Sequence, residues 1–452
     1  MKRFTDKDFA RAIVVYREVA MAKKRVKRTP GELINKTLFE QVEDGKYLGV
    51  DLSELQFITG KEGPLTKWET DDLDYLPLPR LPWRRLHPLC ITEESAEQLY
   101  TDVRRFIYDH IDFSKDVEYD LCASWVLHTW RLENWNVTPY LSFFGPPASG
   151  KTWAMEVLAA LSFRSLLAAM SPASLYYATQ EWHPTCFLDE TEMYLRGEEK
   201  ADILNYLNMG YRRGQVVIRT TEDKDGSRSP VMFDVFGPKC LAGTKELFDT
   251  LKSRSFTFTM SRKTREIKMT IDEDAILQLR NRLFSYRVRQ LAANRNLILS
   301  ADTFLNQIRD GRLRELFHPL ISCCPQSVIP LLVEYAVQLD TEKEQEEALS
   351  LEARVFNAVL KARQLNEDFI PLKAVAEIVN ENLPLKEGFS NRAIGTYVAK
   401  LGFKKQIHKN RAHVVWDEKL ITRLAKRYPI DKADDSPPEP EPYDHYAHPP
   451  QT

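Results

Sequence analysis

The chain has 452 residues, of which 43% are hydrophobic and 28% charged, and its 63 Lys and Arg against 65 Asp and Glu give a formal net charge of -2. This composition excludes a chain that is disordered throughout, and the length predicts roughly two to four domains. The near-neutral sum argues against a uniformly basic nucleic-acid coat, although a sum does not show where the charge lies.

No apolar run reaches the roughly 18 residues of a membrane-spanning helix, and the start MKRFTDKDFAR lacks the apolar block of a signal peptide. The six cysteines form no CxxC pair. We therefore predict a cytoplasmic protein with reduced thiols and without a disulfide framework, a zinc site or a membrane partner.

The first 75 residues are predicted to form a small accessory domain whose fold the pattern does not define. Residues 1–28 hold ten Lys or Arg and three Asp or Glu, a local net charge of +7. Such a run is typical of a solvated helix face, with nucleic-acid contact as the alternative. Residues 76–94 are predicted to be an extended linker, because four prolines between residues 76 and 88 disfavour helix and sheet.

Residues 95–265 are predicted to form an α/β core. Apolar residues at helical spacing in 96–110 and 116–132 lead into short apolar β runs that alternate with helical patterns. This order favours a parallel sheet with crossover helices. The predicted strands are Tyr140–Phe144, Thr185–Leu188, Gln215–Thr220, Val231–Phe236, Lys239–Ala242 and Ser255–Met260.

The first chemical motif follows the strand predicted at 140–144 and begins a helical pattern. Its glycines let backbone N–H groups surround phosphates, its lysine reaches the β and γ oxygens, and its threonine hydroxyl reaches Mg²⁺. It predicts binding of ATP with Mg²⁺; the alternative is an ordinary strand–helix turn. The motif consists of Gly145, Pro146, Pro147, Ala148, Ser149, Gly150, Lys151 and Thr152.

Two acidic residues follow the buried-type strand 185–188. A P-loop fold holds its Mg²⁺-coordinating Asp at this position, next to a carboxylate that polarises the attacking water. Asp189 is therefore the predicted metal ligand and Glu190 the predicted general base. The alternative is that both acids cap a following helix.

Three further features lie between residues 215 and 256. Two β runs around a polar tip predict a hairpin, whose Lys224 and Arg228 would bind phosphates in a ring's channel or, alternatively, remain solvated. Thr244 ends a predicted strand with a hydroxyl that would sense the γ-phosphate. Arg254 precedes the last strand and suits an arginine finger acting in trans, with an ordinary surface arginine as the alternative.

Residues 272–345 are largely helical by pattern. Residues 349–430 are predicted to form a winged-helix domain: helices 351–363, 372–380 and 391–400, then strands 403–407 and 413–416. Residues 388–416 contain no Asp or Glu. This charge predicts DNA binding, with a protein-binding platform as the alternative. Residues 431–452, with six prolines and six acids, are predicted to be a disordered acidic tail. The predicted DNA contacts of the winged helix are Arg392, Lys404, Lys405, Lys409 and Arg411.

In their order, these motifs resemble the AAA+ helicase modules of mobile genetic elements, which are akin to minichromosome-maintenance and superfamily 3 helicases. The resemblance covers roughly residues 95–330. It rests on residues 125–130 (WVLHTW), the P-loop, and residues 187–190 (FLDE), 210–214 (GYRRG), 235–239 (VFGPK), 241–245 (LAGTK) and 254–256 (RSF). It implies an AAA+ P-loop NTPase core, a helical lid at 266–348 and a homo-oligomeric ring, typically a hexamer.

In such a ring ATP lies between subunits, with Lys151, Thr152, Asp189, Glu190 and Thr244 on one side and Arg254 from the neighbour. The pair Arg212-Arg213 is a further interface candidate, with a structural salt bridge as the alternative. For the lid's second arginine sensor, the resemblance favours Arg312 or Arg314 over Arg280 and Arg287.

The resemblance implies an ATP-dependent DNA helicase or translocase in mobile-element replication, with single-stranded or forked DNA as substrate and a primase or polymerase as a candidate partner. A fused primase site is not expected, because the N-terminal segment is short and has no carboxylate cluster. Two alternatives stay open. One is an AAA+ loader, transposition helper or packaging ATPase that does not unwind DNA, and the other is a non-enzymatic winged-helix DNA-binding initiator.

Overall fold

The computed structural model of the chain describes residues 25–60, 63–194, 200–222, 228–293, 303–365, 370–381, 383, 388–408 and 411–428. The chain divides into two compact units, residues 1–337 and 338–452, which we call the N-terminal and C-terminal units. Lys224, Lys409 and the acidic tail lie outside the described residues. In the part that is described, no helix is both long enough and apolar enough to cross a membrane.

The N-terminal unit begins with two small sheets that the sequence pattern did not define. In a four-stranded antiparallel sheet, neighbouring strands follow one another along the chain. In a three-stranded sheet, the strand that comes first in the chain pairs in parallel with the strand that comes last. Stacking of Phe39 on Trp68, with ring centroids 5.2 Å apart, and buried Tyr47 and Tyr75 form their shared core. The strands are β1 (Arg25–Arg28), β2 (Gly31–Ile34), β3 (Thr37–Glu43), β4 (Lys46–Asp51), β5 (Gln56–Ile58), β6 (Trp68–Glu69) and β7 (Leu73–Leu76).

The proline-rich segment after β7 has neither helix nor strand, as predicted, but it packs closely against its neighbours. The Gln41 side-chain amide accepts from the Leu78 N–H at 2.7 Å and donates to the Leu78 carbonyl at 2.8 Å. The Leu86 N–H donates to the Val42 carbonyl at 2.8 Å, and the Leu86 side chain is buried. These bonds hold the segment along β3, so it is an ordered part of the N-terminal unit.

A buried ion pair connects β3 to the α/β core. The Arg164 guanidinium donates to the two carboxylate oxygens of Glu40 at 2.8 and 2.6 Å, and both side chains are almost completely buried. Such a bidentate pair has a fixed geometry, and loss of one partner would leave an uncompensated buried charge. The first sheets are therefore fixed to the core by a specific contact.

The core is a five-stranded, wholly parallel sheet, which confirms the predicted mixed α/β architecture and is consistent with a P-loop NTPase core. Its three central strands are buried on both faces, which explains their continuous apolar runs. They lie in the order β14-β8-β13-β10-β9. Their bounds are β8 (Tyr140–Phe144), β9 (Ser165–Leu167), β10 (Thr185–Leu188), β13 (Lys239–Gly243) and β14 (Ser255–Thr259).

Between β10 and β13 the chain forms the predicted hairpin, β11 (Val216–Glu222) and β12 (Arg228–Asp234). Val217 and Phe233 on one face pack into the core, whereas Ile218 and Met232 on the other face are exposed. The helices of the N-terminal unit are α1 (Ala96–His110), α2 (Val117–Thr129), α3 (Lys151–Leu161), α4 (Pro172–Trp182), α5 (Thr191–Tyr194), α6 (Lys200–Met209), α7 (Asp249–Lys252), α8 (Glu273–Ala292) and α9 (Gly311–Ile321). Helix α10 (Ile329–Ala348) contains the boundary between the units.

The C-terminal unit has helices and strands in the order that the sequence predicted, with one additional short strand and a final helix. Its core is a single apolar cluster that includes Phe356, Val375 and Val398. Its three strands pair in the order β15-β17-β16. The elements are α11 (Leu351–Leu365), β15 (Ile370–Pro371), α12 (Leu372–Asn380), α13 (Asn391–Lys400), β16 (Lys405–His408), β17 (Arg411–Val414) and α14 (Glu418–Ala425).

Candidate functional site

The phosphate loop, residues 145–152, runs from the end of β8 to the start of α3. Gly150 has φ +87° at the residue that begins the helix, a conformation that glycine adopts without strain. A Cβ on Gly145 would overlap the Met260 carbonyl oxygen. Both glycines are therefore required by the backbone path, and the loop directs the N-terminal N–H groups of α3 toward the carboxyl edge of the sheet.

Lys151 lies inside the loop rather than in solvent. Its Nζ donates to the carbonyls of Gly145 at 2.9 Å and Pro146 at 2.7 Å and lies 3.4 Å from the Ser149 hydroxyl. Its side chain is only 9% exposed. The structure thus holds one ammonium group within the loop, where the sequence predicts the phosphate oxygens.

The predicted metal ligands are in direct contact. The Thr152 hydroxyl donates to Asp189 Oδ2 at 2.7 Å, although the two residues are 37 positions apart. The other carboxylate oxygen of Asp189 accepts from the Glu190 N–H at 2.8 Å. Glu190 has φ +51°, which is uncommon for a residue with a side chain, and its side chain is exposed beside Asp189.

These oxygens fit Mg²⁺ held together with a nucleotide. Mg²⁺ prefers oxygen ligands and is usually bound by one or two protein groups together with phosphates and waters. The Thr152 hydroxyl, in the first turn of α3, and the Asp189 carboxylate, directly after β10, are such a pair. Among the described residues, no cluster of three or more His, Cys, Asp or Glu forms an all-protein metal site.

Thr244 lies on the same edge, between the phosphate loop and the two acids, because β13 lies between β8 and β10. Its hydroxyl donates to Glu192 Oε1 at 2.5 Å, and the Lys245 N–H donates to the same oxygen at 2.9 Å. Burial opposes the charged form of Glu192, but these hydrogen bonds outweigh it and lower its pKa. Sequence reasoning missed Glu192, although it is only three positions after Asp189.

Arg254 lies on the opposite edge of the sheet. Its carbonyl accepts from the N–H of Tyr140, the first residue of β8, at 3.0 Å, whereas the phosphate loop follows the last residue, Phe144. Because each residue of a parallel strand advances about 3.3 Å, the strand separates these edges by roughly 16 Å. The guanidinium donates to the Thr250 carbonyl and therefore does not approach the phosphate loop of its own chain.

Arg254 belongs to a group of charged residues around one aromatic ring, which we call the Tyr211 cluster (Tyr211, Arg212, Arg254, Arg312 and Glu315). The Tyr211 ring centroid lies 4.7 Å from Cζ of Arg312 and 5.7 Å from Cζ of Arg254. Glu315 accepts from Arg312 at 3.1 Å, from the Tyr211 hydroxyl and from Arg212. Partial burial, and next the positive charge of Arg312, lower the pKa of Arg254. Three guanidinium groups and one carboxylate give the cluster an excess of positive charge.

The other arginine candidates have internal partners. Arg213 donates to the carbonyls of Trp135 at 2.9 Å and Leu132 at 2.8 Å, which is a structural role. Arg280 is buried, donates to the carbonyls at the end of α3, and has its pKa lowered by that burial to about 9. Arg287 pairs with Glu133, and Arg314 donates to the Ile308 carbonyl.

The candidate DNA contacts differ in their surroundings. Arg228 is exposed at the first residue of β12, opposite Glu222 in the hairpin. Arg392, Lys404 and Arg411 of the C-terminal unit are also exposed. The Lys405 ammonium instead donates to the Gly395 carbonyl of α13 at 3.0 Å, so it is already used within the unit.

No protein-family model matches the chain, and no curated protein matches it. Among solved structures, the chain is similar to the apo C-terminal region of NrS-1 over 88% of its length and 98% of that chain, at 12% identity and a TM-score of 0.35. It is similar to SCCmec type IV Cch, described as an active helicase, over 93% of its length and 85% of that chain, at 11% identity and a TM-score of 0.41. It is also similar to Cdc6p from Pyrobaculum aerophilum over 73% of its length and 97% of that chain, at 13% identity and a TM-score of 0.20. TM-scores this low do not establish a shared fold.

Proposed function

We propose that the chain is an ATP-dependent DNA helicase or translocase that works as a homo-oligomeric ring. The observation that carries this proposal is the 2.7 Å hydrogen bond between the Thr152 hydroxyl and the Asp189 carboxylate. It joins two motifs that are distant in sequence, on the edge of the sheet where a phosphate loop binds nucleotide. An ordinary strand–helix turn, or acids that only cap a helix, would not require this contact.

Each residue on this edge has a role in the proposed reaction. Bound Mg²⁺·ATP supplies the γ-phosphoryl group together with a cation that offsets its charge. Lys151 would donate to phosphate oxygens, and Thr152 and Asp189 would hold the metal. Glu190, exposed next to Asp189, would orient the attacking water and take its proton as the water oxygen bonds to the γ-phosphorus and the bond to ADP breaks. The Thr244 hydroxyl would contact the γ-phosphate side of the site.

The position of the arginines supports the proposed ring. Developing charge on the γ-phosphoryl group is stabilised by a guanidinium, but Arg254 lies roughly one strand length from the phosphate loop of its own chain. A head-to-tail interface would bring the Tyr211 cluster of one subunit to the phosphate loop of the next. The hexameric number and the mobile-element setting rest only on the resemblance of the motif order.

DNA is the proposed polymer substrate. The β11–β12 hairpin, which carries Arg228, lies in the chain between β10, which Asp189 follows, and β13, which Thr244 follows. A change at the nucleotide could therefore reach the DNA contact through this one chain segment. The exposed cations Arg392, Lys404 and Arg411 give the C-terminal unit a second surface for phosphates. Forked or single-stranded DNA is the proposed ligand of each surface.

The test combines ATP hydrolysis with strand displacement on a forked duplex. We expect single-stranded DNA to stimulate hydrolysis, and the fork to be unwound by the wild-type chain but not by Glu190→Gln. Hydrolysis that leaves the fork intact would instead identify a loader or remodelling ATPase, and DNA binding without any hydrolysis would identify a non-enzymatic initiator.

The DNA surface of the C-terminal unit has its own matched pair of variants. Lys404→Ala removes an exposed ammonium and should weaken fork binding and reduce its salt dependence. Lys405→Ala removes an ammonium that already donates to the Gly395 carbonyl. It should therefore reduce fork binding and the salt dependence of binding less than Lys404→Ala does. Equal losses for the two variants would contradict this assignment of the DNA contacts.

A further inference from the structure

A cavity of about 280 Å³ lies directly beside the phosphate loop and was not anticipated from the sequence. It shares Ser149 and Gly150 with the loop and continues past the start of α3. Its walls include the side chains of Ile111, Trp153 and Met269. A nucleotide whose phosphates lie in the loop would therefore place its base in this cavity, which we call the base slot.

The walls of the base slot are held in place before any base enters. The Trp153 indole N–H donates to the His110 carbonyl at 2.8 Å and so fixes the ring at the end of α1. The opposite wall is the segment after β14, residues 260–269. Asp112 holds this segment by accepting from the Thr264 N–H at 2.5 Å and the Thr264 hydroxyl at 2.9 Å, and Arg265 packs on the Tyr108 ring at 4.0 Å.

Several polar groups of these walls are already bonded to the protein. The Lys263 ammonium, which also lines the cavity, donates to Glu266 at 3.2 Å, and the Ser261 hydroxyl lies 3.5 Å from the Arg262 carbonyl oxygen. The hydrogen bonds to Asp112 outweigh the effect of its burial and lower its pKa, so it remains a charged acceptor for Thr264 and Arg265. The Ile111 N–H donates to the Ile107 carbonyl at 2.9 Å, and the Ile111 carbonyl accepts from the Tyr119 hydroxyl at 3.2 Å. The Met260 N–H donates to the Phe144 carbonyl at 2.6 Å. What these walls offer a base is mainly apolar surface and the face of Trp153.

We infer that the base slot binds the nucleobase by apolar contact and stacking on Trp153 and does not read its hydrogen-bonding edge. The inference rests on the proposed function. The substrate class is then nucleoside triphosphates in general, with GTP used nearly as well as ATP. Sites that hydrogen-bond a substrate group reject an analogue without it by about 10⁴-fold or more, whereas apolar pockets discriminate only by about 10-fold to 200-fold.

The direct test is kcat/KM for ATP, GTP, CTP and UTP with the full chain. We expect GTP within about tenfold of ATP, and the pyrimidine nucleotides lower by about tenfold or more because a smaller ring buries less apolar surface. A kcat/KM for GTP that is lower than that for ATP by about 10³-fold would overturn the inference. If no nucleotide is hydrolysed or bound, the proposed function itself fails, and the two failures are therefore distinguishable.

Variants test the slot without depending on hydrolysis. Met269→Ala changes a side chain that is 57% exposed, so the fold should persist, and it should weaken binding of ATP and GTP by the same factor. Leu89→Ala, at an 84% exposed apolar side chain outside the slot, is the matched control and should leave both affinities unchanged. Trp153→Phe should abolish the nucleotide-dependent change in tryptophan fluorescence, whereas Trp416→Phe in the C-terminal unit should retain it. A Met269→Ala effect on one purine only, or a fluorescence change that survives Trp153→Phe, would contradict the inference.

Discussion

The two edges of the parallel sheet carry different sets of charged and polar groups. The carboxyl edge holds the phosphate loop, the Thr152–Asp189 contact and Thr244, whereas the amino edge holds the Tyr211 cluster with its three guanidinium groups. On each edge a carboxylate also positions neighbouring side chains. Glu192 accepts a hydrogen bond from the Thr244 hydroxyl, and Glu315 forms ion pairs with Arg212 and Arg312. A single chain therefore has both sets of groups but holds them apart, at opposite ends of its strands.

The largest expected effect comes from the carboxyl edge. Lys151→Ala removes the ammonium within the phosphate loop and should lower ATP hydrolysis by about 10³-fold or more. The measurement is steady-state ATPase activity with saturating single-stranded DNA. Lys252→Ala, at a half-exposed lysine on α7, is the control and should keep wild-type activity. Retained hydrolysis in Lys151→Ala would mean that the loop is not the catalytic site.

The next effect comes from the amino edge and should leave nucleotide binding intact. Arg254→Ala removes a guanidinium that lies away from its own phosphate loop, so we expect kcat to fall by about 10²-fold to 10³-fold with little change in nucleotide affinity. Arg213→Ala is the matched control on the same edge, because Arg213 donates to backbone carbonyls and packs on the Phe236 ring of its own chain. It should reduce thermal stability and leave kcat per folded subunit near wild type. A loss of ATP affinity in Arg254→Ala would place that arginine at its own nucleotide.

A smaller decrease in kcat is expected when Glu315, which pairs with Arg212 and Arg312, is replaced. Glu315→Ala removes the only carboxylate of the Tyr211 cluster and leaves like charges facing one another, so kcat should fall by about tenfold or less. Glu315→Gln keeps an acceptor for Arg312 and the Tyr211 hydroxyl and should recover most of the activity. Equal activities of the Ala and Gln variants would show that the cluster does not need this acceptor.

The smallest expected effect is on the pH dependence of thermal stability, to which Glu192 and Glu315 each contribute. Hydrogen bonds outweigh burial and lower the pKa of both Glu192 and Glu315. A lowered pKa means that the charged form stabilises the folded chain at pH values above the ordinary Glu pKa of about 4.3, and that this contribution is lost as the pH falls below it. Thermal melting at pH 7 and pH 4 should therefore show a smaller acid-induced decrease in Tm for Glu192→Gln and Glu315→Gln than for wild type. An unchanged decrease would contradict the hydrogen bonding at that edge.

Sequence reasoning succeeded where the signal was local. The strands β8 and β10 were predicted to the residue because each is a short apolar run that is buried on both faces. The phosphate loop and the two acids could be placed because parallel strands bring their carboxyl ends to one edge. β9 was missed, since three residues carry no readable periodicity.

The rest of the site depends on long-range contacts that a sequence pattern does not contain. The base slot is closed by Asp112 and Thr264, which are 152 positions apart, and the Tyr211 cluster is completed by Glu315 from α9. Likewise, the proline-rich segment was assigned as a linker because the packing of Leu78 and Leu86 depends on partners in β3. Glu192 differs from these residues, because it is only three positions after Asp189 in the sequence. Its proximity to the site could therefore have been predicted.

Mixing the two inactive variants tests whether neighbouring subunits share the nucleotide site. If the nucleotide site is shared, Lys151→Ala subunits supply Arg254 to the intact phosphate loops of Arg254→Ala subunits, and an equimolar mixture should recover up to about a quarter of wild-type ATPase activity through randomly formed head-to-tail interfaces. Each variant alone stays inactive. A mixture that is no more active than the average of the two separate variants, under conditions where the subunits exchange, would contradict a site built from both edges of the sheet.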